Sequence, residues 1–238
     1  MQTLPGFREY YPEEQSVRSL IGERWADVAR RFGFAEVATP TLEPLELYQK
    51  KSGDELVGQL FAFEDKGERA VALRPELTPA VARMVVNRNR ELRKPVRWFS
   101  NGMFFRFERP QKGRLREFGQ FNCDLFGVSG PGADGEMIQL LIELLRATGL
   151  SERDFAVRIS DREVWAEFAA REGVSQEKVP QLLQVIDKLG REKEERSAAA
   201  LAEIGVGLDR VRTYMGEPVE EYGRLGAVMK EMRSRGVG

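Results

Sequence analysis

The chain has 238 residues, enough for one large domain or two smaller ones. Its 37 Lys and Arg nearly cancel its 38 Asp and Glu, and the net charge of −1 argues against indiscriminate coating of nucleic acid. Histidine is absent and cysteine occurs once, which excludes imidazole bases, His-dependent nucleophiles, His-ligated metals and internal disulfides.

The N-terminal segment lacks a secretory apolar stretch, and no apolar run is long enough to span a bilayer. With a single cysteine, Cys123, read as a buried thiol, the expected setting is reducing and cytoplasmic. Pro12 suits a first helical turn. Val17, Leu20, Ile21, Trp25, Val28 and Phe32 follow at helical spacing, a stripe expected to be buried, and Gly33 ends the run. Ala35 to Thr39 reads as a strand stopped by Pro40, and Glu43-Pro44 as irregular. Leu60 to Glu64 and Ala70 to Arg74 flank Asp65-Lys66-Gly67, a hairpin signal. Thr78 as N-cap and Pro79 at the first helical position open a helix to about Asn89.

Trp98 to Glu108 and Phe118 to Leu125 form the most informative stretch, two apolar strands around a loop holding Arg109, Lys112, Arg114 and Arg116. Alternation puts Trp98, Ser100, Gly102, Phe104, Arg106 and Glu108 on one face. Phe99, Met103, Phe105 and Phe107 fall on the other, expected to be buried. On the return strand Phe118, Gln120, Asn122 and Asp124 share a face. If the hairpin closes, the two polar faces form one surface fit for a triphosphate and a small polar ligand. Polar alternation alone favours a sheet with one wet face; the Arg-rich loop and the aromatic placed among the polar residues favour the site.

Gly127 to Gly135 reads as a loop, Glu136 to Thr148 as an apolar helix, and Phe155 to Ser160 as one more strand. Beyond Trp165 the pattern turns helical: a run around Leu182 to Leu189, then Ala198 to Ile204, Leu208 to Met215 and Glu220 to Met232. The charged run after Gly190 reads as a solvated face or turn. The expected fold is α+β, a largely antiparallel sheet flanked by helices over residues 1–163, followed by an all-helical segment over 164–238.

Four strings in order carry a resemblance. They are Gly6-Phe-Arg, Thr39-Pro40 with Glu43, Leu73-Arg-Pro-Glu-Leu-Thr78, and Glu108-Arg-Pro-Gln-Lys-Gly-Arg114. Arg106-Phe-Glu108 followed by Phe118 resembles motif 2 of class II aminoacyl-tRNA synthetases, and the wider text over about residues 4 to 145 resembles histidyl-tRNA synthetase. The resemblance implies a histidine–tRNA ligase using ATP with Mg²⁺ as a substrate complex, with no protein-bound metal, and with the tRNA acceptor end as partner. It implies that residues 33–44, similar to motif 1, form a homodimer interface. Glu76 and Thr78 match positions that hold the amino group of histidine. Arg106 matches the arginine that contacts the α-phosphate and the substrate carboxylate. Glu108 matches the acceptor for the adenine amino group, Phe118 the ring stacked on adenine, and Arg114 a cation near the outer phosphates. Gln120 and Asp124 match the lining of the histidine pocket, although the family often has glutamate at the latter. Arg109, Lys112 and Arg116 either reach ATP or the acceptor end or are simply solvated.

The chain departs from the family in lacking an Arg-Gly-Leu stretch, motif 3 and an anticodon-binding domain. It therefore reads as a catalytic fragment or a stand-alone paralogue, followed by an insertion-like segment, and is expected to be impaired or inactive by itself. Two other readings remain. One is a regulatory subunit of ATP phosphoribosyltransferase, a histidine sensor of the same fold, against which the complete Glu108–Arg114 loop and Glu76 speak. The other is a free-standing RNA-binding module, for which no anticodon-reading element is evident.

Overall fold

The computed structural model describes residues 2–49, 58–109, 113–216 and 223–236. These fall into two compact units: 1–128 with 140–154, and 129–139 with 155–238.

In the first unit, helix α1 (Pro12–Arg31) leads into strand β1 (Ala35–Glu36). Then come β2 (Leu42–Pro44), the short α2 (Glu46–Gln49), β3 (Ala62–Glu64), β4 (Ala70–Leu73) and α3 (Thr78–Asn87). The long strands β5 (Val96–Phe105) and β6 (Glu117–Phe126) follow. Two sheets result, ordered β1-β5-β6 and β2-β4-β3, with every pair antiparallel except β1 with β5. The expected α+β class with a largely antiparallel sheet is what forms.

Helix α1 covers one face of the β5/β6 ribbon, where Trp25 meets the edge of Phe121 at 5.6 Å. Trp25 Nε1 also donates to the carbonyl of Leu144, in helix α4 (Pro131–Ala147). On the other face Leu77 and Val81 of α3 pack on Phe104, with Trp98, Phe118 and Phe126 around them. Both faces of the ribbon therefore carry apolar core. Phe99 and Phe105 are buried as expected, but Phe104, from the face read as polar, is fully buried too. Phe107 corrects the reading: it is 53 % exposed, because β5 ends at Phe105 and no longer dictates which way the side chain turns.

Several local expectations change for physical reasons. The stripe of α1 is buried only toward its C-terminal half, at Ala26, Val28 and Ala29, while Val17 and Leu20 stay exposed. Thr78 does not cap α3. Leu77 occupies the cap position in helical conformation, and no side chain bonds the first turn. Residues 42–44 are strand rather than irregular, since Pro44 sits at the end of an outer strand where a missing N–H costs little. Strand β1 is shorter than Ala35–Thr39, though Val37 adds one bond to the Phe99 carbonyl. The hairpin at Asp65 closes as read, its carboxylate accepting from the Gly67 and Arg69 amides.

In the second unit the helices are α5 (Arg162–Arg171), α6 (Val179–Lys188), α7 (Glu194–Ile204), α8 (Leu208–Met215) and α9 (Gly223–Ser234). The first four share a core of Trp165, Phe168, Leu182, Leu201, Val211 and Tyr214, and α9 adds Leu225 to its edge. Asp161 caps α5 by accepting from the Glu163 amide at 2.7 Å, and Gly205 ends α7 in the left-handed conformation that favours glycine. Helix α4 starts at Pro131, inside the stretch read as loop, because a proline fits a first turn. Phe155 to Ser160 is not a strand: it forms no ladder with any described residue, and an apolar run without a partner backbone cannot become sheet.

Candidate functional site

The pairing of β5 with β6 assembles the site. Its register sets Trp98 opposite Asp124, Ser100 opposite Asn122, Gly102 opposite Gln120 and Phe104 opposite Phe118. Residues directly opposite share a face, so Phe118, Gln120, Asn122 and Asp124 line one surface with Ser100 and Gly102. Arg106 lies just past β5, yet its amide still bonds the Arg116 carbonyl at 2.9 Å, which extends the ribbon. Its Nε donates to the Pro75 carbonyl at 3.0 Å, and its guanidinium stands 5.5 Å over the ring of Phe118. Arg106, Phe118 and Gln120 therefore belong to one surface.

Glu108 is held beside them. Its amide bonds the Arg106 carbonyl at 2.8 Å, and Arg114 Nε lies 2.9 Å from its Oε2. That contact is a charge pair without hydrogen-bond alignment, so Oε2 is buried with no donor aimed at it. Asn122 Oδ1 is likewise a buried oxygen without a donor. A buried acceptor left open costs stability unless something supplies a donor. Burial also pushes the Asp124 carboxyl above its ordinary pKa, the charged form being poorly solvated there. The neighbouring Cys123 points to the opposite face, and burial first, then the Asp124 charge, raises its thiol to about 12. An unreactive thiol follows.

Glu76 and Thr78 flank the start of α3, the first half-buried and the second exposed. Arg109 is exposed. Lys112 lies outside the described residues. Arg116 serves the scaffold: Nε donates to the Glu108 carbonyl, the guanidinium stacks 4.1 Å from the Phe107 ring, and its amide bonds the Gly6 carbonyl. Gly6 has φ +86°, and a Cβ there would press on the Arg116 stem. Among the described residues no group of three or more His, Cys, Asp or Glu could hold a metal.

A second, buried polar layer holds this surface, formed by residues to which the sequence pattern gives no role. Glu43, 3 % exposed, takes Arg83 in a two-pronged pair at 2.6 and 2.7 Å. Arg74, 7 % exposed, donates Nε to the Met103 carbonyl at 2.9 Å and Nη1 to Thr39 O and Oγ1 at 3.0 and 3.2 Å. Its own carbonyl accepts from the Phe105 amide at 3.0 Å. This buried layer fixes residues 74–76 against β5. One sequence signal could have found it: a glycine inside an apolar strand, Gly102, marks close approach by something else.

The family described as histidyl-tRNA synthetase matches residues 6–213 of this chain. A histidine–tRNA ligase of Opitutus terrae is 44 % identical over 230 residues, covering 97 % of this chain and 48 % of that protein. A Bacillus halodurans structure titled as an ATP phosphoribosyltransferase regulatory subunit/histidyl-tRNA synthetase superposes with a TM-score of 0.79 at 21 % identity, over 99 % of this chain and 65 % of that one. Histidyl-tRNA synthetase from Nostoc superposes with a TM-score of 0.74 at 23 % identity, over 100 % and 58 %. At these identities the structural matches speak to fold alone. The chain spans about half the length of the curated relatives it matches.

Proposed function

The chain belongs to the histidyl-tRNA synthetase family, and from that premise we propose that its β5/β6 face binds histidine and MgATP for adenylate formation. The observation that carries this reading is the grouping of Arg106, Phe118, Glu108 and Gln120 on one surface. Residues 1–163 are the catalytic portion and 164–238 the helical insertion of a histidine–tRNA ligase of class II. It works in the cytoplasm on a tRNA acceptor end, as a homodimer joined through residues 33–44.

Each side chain has a task its chemistry suits. Phe118 offers a ring face to adenine, and the Glu108 carboxylate accepts from the adenine amino group. Arg106 meets the α-phosphate and the histidine carboxylate with its fork of donors. Arg114 meets the outer phosphates. Glu76 and Thr78 take the ammonium group, and Gln120 and Asp124 read the imidazole. A ring N–H, or an imidazolium, stabilises the strained Asp124 carboxylate.

The histidine carboxylate is itself the nucleophile. It attacks the α-phosphorus, the bond to the β-phosphate oxygen breaks, and pyrophosphate leaves with Mg²⁺. No protein base is required, which fits a chain without histidine. Arg106 offsets the charge that grows on the phosphate in the transition state. A ribose hydroxyl of the tRNA end then attacks the carbonyl carbon of the adenylate, the acyl–phosphate bond breaks, and AMP leaves with the hydroxyl proton lost to solvent.

The second reading, a regulatory subunit that senses histidine, draws on the printed title of the Bacillus halodurans neighbour. Glu76 and Glu108, both present, favour the ligase. Calorimetric titration of the chain with histidine and with MgATP tests the proposal. Saturable binding of both is expected. Histidine binding without MgATP binding would move the assignment to the regulator, and binding of neither would overturn both.

A further inference from the structure

We infer that Arg74 supplies a second anion-binding point in this site, its Nη2 edge receiving the carboxylate of the amino-acid ligand. The inference rests on the reading of the face as a histidine and nucleotide site.

Arg74 is almost fully buried, yet no carboxylate among the described residues forms an ion pair with it. Glu43, whose charge Arg74 feels, is engaged on both oxygens by Arg83. Three of the five guanidinium donors go to neutral oxygens, on Met103 and Thr39. The two on Nη2 meet no acceptor among the described residues. Burial lowers the pKa of this guanidinium by desolvating its charge, and an anion placed against Nη2 offsets that penalty.

The location of Nη2 is set by Gly102. A Cβ built on Gly102 would collide with it, so this nitrogen occupies the side-chain space of a strand position on the ligand face. Gly102 stands directly opposite Gln120, and opposed side-chain positions lie about 5 Å apart. The guanidinium rests 4.7 Å over Phe104, whose ring is 6.4 Å from that of Phe118 under Arg106. Two cations thus stand side by side on adjoining rings. Glu76, assigned to the ammonium group, is two residues along the chain.

The test titrates histidine, histidinol and MgATP into the wild-type chain and into Arg74→Lys, Arg74→Gln and Gly102→Ala, with near-ultraviolet circular dichroism reporting the fold. Histidinol carries an alcohol where histidine has its carboxylate. The affinity ratio of histidine to histidinol is expected to fall about tenfold in Arg74→Gln and Gly102→Ala and less in Arg74→Lys, with MgATP unaffected. Gly102→Ala displaces only the flexible end of Arg74, so it remains informative if Arg74→Gln does not fold. An unchanged ratio in the folded variants, an equal loss of both ligands, or a loss confined to MgATP would each overturn the inference. Wild-type chain that binds neither histidine nor MgATP would overturn the underlying reading as well.

Discussion

The two units bury different things. The helical unit hides one apolar cluster, from Trp165 to Tyr214, and its ion pairs, such as Arg212 with Glu194, lie at the surface. The sheet unit hides Glu43 and Arg74, and leaves buried oxygens of Asn122 and Tyr48 without hydrogen-bond partners among the described residues. A core built for stability alone has no use for such groups, since each costs free energy when unpaired. Buried polar groups concentrated in one unit agree with the ligand site proposed there.

The largest effects separate the two kinds of core. Arg83→Met strips Glu43 of its partner and strands a buried carboxylate, so chemical denaturation should show a loss of about 3–5 kcal/mol. Phe168→Ala opens a cavity in the helical core and should cost a similar 3–5 kcal/mol, while the affinity of the folded protein for MgATP stays at its wild-type value. A drop in intrinsic affinity there would blur the contrast between site and scaffold.

Phe118→Leu comes next. It keeps apolar bulk and removes the ring face, so MgATP affinity should fall about tenfold by calorimetry, with histidine affinity changed little.

Asp124→Asn sharpens the contrast through pH. Because burial raises the folded-state pKa of Asp124, the native state holds its proton more tightly than the unfolded chain does. Stability is then full below the ordinary carboxylate pKa and lost as pH rises through the folded value. Asp124→Asn should raise the thermal midpoint at pH 8 and leave it unchanged at pH 3, although histidine binding weakens. A midpoint gain independent of pH would contradict the assignment of strain to this carboxylate. Smallest of all, Arg212→Ala on the helical surface should leave both the midpoint and ligand affinity where they were.

Much of the sheet unit was legible from alternation. The β5/β6 register follows from it, because a one-residue slip would exchange the faces of Gln120 and Phe121. Leu208–Met215 was likewise readable from helical spacing. Burial by distant partners was not readable. Val17 and Leu20 look like core in sequence, but no described element covers them. Phe155 to Ser160 has the composition of a strand without a neighbour to bond. Arg74 sat inside a string already singled out, yet only the fold shows its side chain filling the space above Gly102.

The account stands on Arg106 and Phe118 sharing one ligand surface. Its most direct measurement is the affinity of MgATP for wild-type chain and for Arg106→Ala, with Arg212→Ala as the folded control. The account predicts saturable binding to wild type and control and at least a tenfold loss in Arg106→Ala; equal affinities in all three, or no binding to any of them, would contradict it.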